Sequence, residues 1–215
     1  GEEFLSQTLN SVLAQSWTSL EVVAVDDGST DGSLDILARY PWVRVLRQCN
    51  AGPAAARNVG VAATTGEYIA FLDQDDLWEP GKTRAQVGAL AGDPAAVCVH
   101  SMQQYFLEPG VPRPPWLTEH QLHHPQPGMT PSAMMMRRSA FGLIGIFDEG
   151  LRAASDTDWL FRAKDRGHTV IQLATVAVRH RIHGQNQQYQ SAASEELVQV
   201  VRRSILRKRS ARGDR

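Results

Sequence analysis

Apolar positions along this chain recur at two spacings, one near 3.6 and one strand-like, and the two alternate in blocks. Phe4, Leu5, Leu9, Val12 and Leu13 fall at helical intervals, which predicts an amphipathic helix over residues 2–16. A short apolar run at 21–25 predicts a strand, and a cluster of turn and capping residues, Asp26-Asp27-Gly28-Ser29-Thr30-Asp31-Gly32-Ser33, follows it. Leu34, Ile36, Leu37 and Tyr40 then predict a helix that Pro41 closes. The pattern repeats with a strand at 43–46, a small-residue helix at 54–65 carrying Arg57, a strand at 67–72, a helix at 80–90 and a strand at 95–106. Beyond a Pro-rich segment at 107–131 come a strand at 132–136, a short helix at 139–145, a helix opening at Ser155, a strand at 168–178 and a C-terminal helix from about residue 194.

Strands alternating with helices at this spacing predict βαβ units, hence an α/β fold with a mostly parallel mixed sheet flanked by helices. In such sheets ligands gather beyond the carboxyl ends of the strands. Two acidic groups are expected there on one edge: Asp26/Asp27 after the first strand, and Asp73, Asp75 and Asp76 after the third. Three carboxylates within four residues repel one another and are tolerated most easily around a cation. A solvated turn with Asp76 capping the next helix is the plainer account of the same triplet. Ser155 or Asp156 serves as the cap of the helix that follows, which leaves one carboxylate of Asp156/Asp158 without a structural task.

Composition narrows the function classes. With 22 basic against 23 acidic residues the net charge is −1, so no global field draws the chain to nucleic acid. Cys49 and Cys98 have no metal-type spacing and fit a reducing compartment. His120, His123 and His124 match no usual zinc pattern and sit in the Pro-rich loop. No apolar run approaches the roughly 20 residues of a membrane span, which favours a cytoplasmic location. The end of the chain is locally basic: seven cations, Arg202, Arg203, Arg207, Lys208, Arg209, Arg212 and Arg215, meet only Asp214. That asymmetry raises contact with anionic lipid at the inner membrane face as a second role for the helix. Met134 to Met136 read as core filler, and Trp78, Trp116 and Trp159 as packing or sugar-stacking groups.

Val25-Asp-Asp-Gly-Ser-Thr-Asp31, Asn50-Ala-Gly-Pro-Ala-Ala-Ala-Arg57-Asn58-Val-Gly60, Gly66-Glu-Tyr-Ile-Ala-Phe-Leu-Asp-Gln-Asp-Asp76 and Asp156-Thr-Asp-Trp-Leu-Phe-Arg162 together resemble the family 2 glycosyltransferases. Arg181-Ile-His183 with Asn186 resembles that family's late Arg-x-His element. The resemblance covers about residues 3–190. It implies a GT-A fold and transfer of a sugar, with inversion, from a nucleotide-diphosphate donor, usually uridine-based, to a carbohydrate or lipid-linked acceptor. By motif, Asp27, with Asp26 as the alternative, matches the partner of the base. Arg57 matches the cation near base or diphosphate, and Asp73 the ribose-side acid. Asp75 matches the ligand of Mg²⁺ or Mn²⁺, with His183 as a second ligand or phosphate contact. Asp156 matches the catalytic base, with Asp158 in reserve. The implied organisation is a donor-binding half at 1–106, an acceptor half with the base at 107–193 in the same domain, and a basic tail at 194–215. The family's opening apolar strand, which ends in a Pro-x-Tyr-Asn type turn, precedes the helix that begins this sequence and is not within it. A non-catalytic module that binds sugar nucleotides or glycans is therefore the alternative function.

Overall fold

The computed structural model describes residues 1–17, 19–186 and 190–212. Helix α1 (Leu5–Leu13) leads to β1 (Val22–Asp26), α2 (Ser33–Leu37), β2 (Val43–Arg47), α3 (Pro53–Ala63), β3 (Tyr68–Ala70) and the two-residue β4 (Leu77–Trp78). Then come α4 (Lys82–Gly92), β5 (Ala96–Leu107), α5 (Glu119–His123), β6 (Gln126–Pro127), β7 (Met134–Arg137), α6 (Arg138–Ile144), α7 (Ser155–Asp165), β8 (Thr169–Ile182) and α8 (Gln190–Arg212).

The class is α/β with a curled mixed sheet between helices, but the expectation of a mostly parallel sheet is wrong. Strands β1 and β2 form a parallel pair of their own. The six-stranded sheet runs β3-β7-β5-β8-β4, with β6 paired to β5 off this path. Only β5 and β8 are parallel in it; β3·β7, β5·β7, β5·β6 and β4·β8 are all antiparallel. The cause lies in β7. Since both β3 and β5 run antiparallel to it, they point the same way, as a βαβ unit requires, but β7 stands between them and takes their hydrogen bonds.

The apolar run of β7 is buried on both faces. Met134 and Met136 pack with Trp159, Phe141 and Phe147 under α6 and α7, while Met135 packs on the opposite face with Leu90 of α4. Alternation of side chains across a strand sends neighbours to opposite sides, so both faces need helices. Strand β8 also runs four residues past its expected end, so His180 and Arg181 project from a strand rather than from a loop. The segment 107–131, expected to be irregular, contains α5, whose capping box joins Thr118 and Gln121. Beyond it β6 adds to the edge of β5.

Helix α1 packs against α2 and β4. Leu5 and Leu9 pack with Leu37 and Val43, and Val12 with Trp78. The Thr8 hydroxyl donates to the carbonyls of Gln74 (2.8 Å) and Asp76 (2.9 Å), which pins the helix to the acidic turn after β3. Among the described residues, no helix is long and apolar enough to cross a membrane.

Candidate active site

The loop after β1 is folded around Asp27. Its Oδ1 accepts from Gln48 Nε2 and the Ala51 N–H, and its Oδ2 from the Gly52 N–H, each at 2.8 Å. Gly52 has φ of +92°, a region open to glycine at little cost, and α3 begins at the next residue. Three donors occupy a carboxylate that offers about four lone-pair directions, so one direction is left for a further donor. Asp26 is buried at the end of β1; its Oδ1 accepts the Ser29 N–H (3.3 Å) and its Oδ2 lies 3.8 Å from Arg47 Nε.

The turn after β3 distributes its acids among different partners. Asp73 accepts from Arg57 Nη2 at 2.8 Å, and its backbone N–H donates to Ser132 Oγ at 3.1 Å. Ser132 is fully buried, and its carbonyl accepts Trp78 Nε1 (3.0 Å), so a tryptophan and a serine hold the start of the turn. Asp75 Oδ2 lies 3.0 Å from His183 Nε2. Burial first, and then the charges of Asp76 and Asp73, push the Asp75 carboxyl above its ordinary range despite the His183 hydrogen bond. Asp76 is not a helix cap. It is fully buried, 2.9 Å from His180 Nδ1, and accepts the Arg181 N–H. Burial disfavours charge on His180, but Asp76, with Asp75 and Asp73 behind it, outweighs that and raises it to about 9.

Arg181 is the buried strut of this corner. Its Nε donates to the Asp75 carbonyl (2.7 Å), Nη2 to Gln7 Oε1 (2.9 Å) and Nη1 to Glu108, while its guanidinium lies over the rings of Phe4 and Phe106. Asn186 closes the element, donating to the Arg181 carbonyl and accepting the His183 N–H. The sequence marked Arg181 only by motif, and neither Ser132 nor His180 at all. No short-range pattern reveals these two, because their partners lie 59 and 104 residues away.

A divalent ion would meet one carboxylate oxygen and one imidazole nitrogen here. Their 3.0 Å separation suits adjacent ligands on a small ion with bonds of about 2.1 Å, and the mutual repulsion of Asp73, Asp75 and Asp76 is what such a charge relieves. No group of three metal-binding side chains is preformed among the described residues, so the remaining ligands would have to come from elsewhere. Small hard cations commonly take them from water and phosphate oxygens. Residues 123 and 124 of the His-bearing loop are otherwise engaged: His123 pairs with Glu119, and His124 stacks on His120.

Asp156 sits in the first turn of α7, 8% exposed, with its Oδ1 accepting the Thr157 N–H at 2.8 Å. It does not cap the helix, and neither does Ser155; the capping position belongs to Ala154, which has no side-chain cap. Burial raises the Asp156 carboxyl to about 6, although Arg57 pulls it down. Arg57, bonded to Asp73, therefore ties the acidic turn to the start of α7. Asp158 has a separate task. Arg162 bonds its Oδ2 at 2.7 Å and also donates to the carbonyls of Ile144 and Ile146, locking α7 to the end of α6. Trp159 and Trp78 are buried and donate to backbone carbonyls, while Trp116 is 38% exposed beside Tyr105.

A sequence model described as Glycosyl transferase family 2 matches residues 1–145, well over half of the chain. The chain belongs to the family 2 glycosyltransferases. Its fold is GT-A-like. Among curated relatives, the putative teichuronic acid biosynthesis glycosyltransferase TuaG of Bacillus subtilis is 40% identical over 90 residues, covering 40% of this chain and 36% of TuaG. Among solved structures, the mannosyltransferase PcManGT of Pyrobaculum calidifontis, in complex with GDP-Man and Mn²⁺, superposes with a TM-score of 0.74 at 18% identity over 95% of this chain and 61% of its own. TarS 1–349 of S. aureus, in complex with UDP-GlcNAc, gives 0.71 at 21% identity over 96% and 63%. At these identities the two structures establish the fold of this family member. The chain spans less than two thirds of the length of each of these relatives.

Proposed function

We propose that this chain moves a sugar, with inversion, from a nucleotide-diphosphate donor to a hydroxyl of a carbohydrate or lipid-linked acceptor. The observation that carries this reading is the Arg57 guanidinium. It is bonded to Asp73 at the acidic strand end, and its charge partly offsets the burial that raises the Asp156 carboxyl, so a donor-side acid and a buried base share one electrostatic unit.

On this reading residues 1–106 hold the donor. Asp27, with one lone pair still free, accepts the imide N–H of the base, with Asp26 as the alternative. Asp73 faces the ribose, and Arg57 the base or diphosphate. Asp75 and His183 hold Mn²⁺ or Mg²⁺, which when bound supplies positive charge to the departing nucleotide diphosphate. The half at 107–193 presents the acceptor. Asp156 takes the proton of the acceptor hydroxyl as that oxygen bonds to the anomeric carbon, and the bond to the diphosphate breaks on the opposite face. A carboxyl near 6 is still mostly ionised at neutral pH and is more basic than an exposed aspartate, which suits a general base. The bound GDP-Man and Mn²⁺ of PcManGT and UDP-GlcNAc of TarS support a nucleotide-sugar donor and a metal.

Calorimetry with UDP or GDP and Mn²⁺ tests this. Metal-dependent nucleotide binding by the wild type is expected to fall at least tenfold in Asp75→Ala; equal binding by the two proteins would sink the metal role of Asp75.

A peripheral position at the cytoplasmic membrane face is part of the same proposal, on altered grounds. Arg203, Arg207 and Lys208 are spent on ion pairs with Asp148 and Asp165, so α8 carries less free charge than its sequence implies. Asp214 and Arg215 lie outside the described residues. The support is instead an exposed apolar stripe, Leu197, Val198, Val201 and Ile205, beside Arg202 and Arg209, which have no ion pair among the described residues. Sedimentation with phosphatidylglycerol vesicles is expected to be lost in Val198→Asp/Ile205→Asp; unchanged sedimentation, or equal binding to phosphatidylcholine, would reject the lipid contact.

A further inference from the structure

The geometry points to Glu196, on the C-terminal helix α8, as a positioning residue for Asp156. The inference rests on Asp156 being the base, as proposed above. Helix α7, which carries Asp156, follows Ala154 without a side-chain cap, and the N–H groups of the segment leading into it need an acceptor from elsewhere. Glu196 provides it. Its Oε1 accepts the Arg152 N–H at 3.0 Å, and its Oε2 accepts those of Ala153 (2.7 Å) and Ala154 (3.0 Å). Three successive N–H groups converging on one carboxylate form an anion-holding concavity. Burial works against the charge, yet these donors and the nearby Arg152 outweigh it and hold the Glu196 carboxyl below its ordinary range.

The helix that carries Glu196 is itself fixed to α7. Val200 is fully buried against Leu151 and Ala154. Ser204 Oγ and Arg207 Nε each donate to Asp165 at 2.8 Å. Residues 196, 200, 204 and 207 fall on one helical face, so one surface of α8 grips both ends of α7. Asp156 follows Ala154 by two residues, and its own carboxylate is bonded to the backbone of that first turn. Wherever Glu196 holds residues 152–154, the base must follow. Across from it, Arg57 of α3 and Asp73 of the acidic turn are the charged groups that Asp156 feels. A displacement of 152–154 therefore changes both the reach of Asp156 and its burial.

The test compares Glu196→Ala and Glu196→Gln with Glu195→Ala, an exposed control on the same helix. Two quantities are read: the carboxyl ¹³C titration of Asp156, assigned by its absence in Asp156→Asn, and kcat against donor KM in sugar transfer. In Glu196→Ala the Asp156 midpoint is expected to move from about 6 towards 4 as the first turn loosens and water reaches the carboxylate. The same variant is expected to lose at least tenfold in kcat, with donor KM within twofold. Glu196→Gln, whose amide oxygen still accepts, should recover part of both, and Glu195→Ala should match the wild type. An unchanged Asp156 midpoint in folded Glu196→Ala would overturn the proposal, as would an activity loss accounted for wholly by a smaller folded fraction. The titration needs no substrate. Transfer by Asp156→Asn at the wild-type rate would refute the role of Asp156 as base, and the midpoint would still decide whether Glu196 holds it.

Discussion

Asp156→Asn is expected to abolish sugar transfer and to make the protein more stable. The amide cannot take the acceptor proton, and loss of a positioned general base costs about 10²–10⁴-fold in rate. Donor binding, which involves the other end of the site, should persist. Stability moves the opposite way. A carboxyl raised from 3.8 to about 6 costs the folded state roughly 3 kcal/mol at neutral pH. The folded protein binds more protons at this group than the unfolded chain between those two values. Its contribution therefore worsens as pH rises through that window and stays unfavourable above it. That penalty is already net of the attraction to Arg57, and asparagine removes it, so a gain of several degrees in melting temperature is expected at pH 7, shrinking towards pH 4. The acid limb of kcat in the wild type should fall near pH 6. Equal turnover of the variant would move the base elsewhere, and a lower melting temperature at pH 7 would mean that Asp156 is held by contacts stronger than its desolvation.

Asp76→Asn is the substitution expected to damage the fold most. It leaves His180 without the carboxylate that keeps it charged, and breaking a buried pair by removing one partner costs about 3–5 kcal/mol. The lower end of that range applies, because Asp76 also repels Asp75, and its loss relieves that strain. A pH signature distinguishes this from simple loss of packing. With its folded value at about 9 against 6.5 for an ordinary histidine, His180 adds stability that is fully present below 6.5 and lost as pH rises through 9. Urea unfolding of the wild type should show that decline, and Asp76→Asn should flatten it. A variant as steeply dependent as the wild type would show that His180 draws its charge from other carboxylates.

The two acids of Asp156-Thr-Asp158 show one signal that was overlooked and one that was absent. Arg162 stands four residues after Asp158, a spacing that puts both on one helix face, so their ion pair was legible in the chain, although the sequence reading kept Asp158 as a reserve base. The burial of Asp156 was not legible, because it depends on α3 and on α8. Order of strands and helices followed from periodicity, and most ends fell within a few residues of expectation. Strand direction did not follow. A run such as Met134 to Met136, buried on both faces, has the same pattern whether its neighbours run with it or against it, and β7 entered between two strands that alternation alone would have paired. Asp27 illustrates the same limit at the site. Its turn motif was visible, but the loop that fills its carboxylate comes from 21–25 residues further on. Thr8, Ser132, His180 and Glu196 carry no local signal, since each acts on backbone or charge far away in the chain.

The central claim is that the acidic turn after β3 and the end of β8 form one metal-assisted nucleotide site. Crystals grown with Mn²⁺ and a nucleoside diphosphate, UDP or GDP, and measured at the manganese absorption edge test it most directly. The account predicts one strong anomalous peak within bonding distance of both Asp75 and His183, with diphosphate oxygens completing its coordination. A nucleotide bound with no peak there, or a peak held by other side chains, would contradict it.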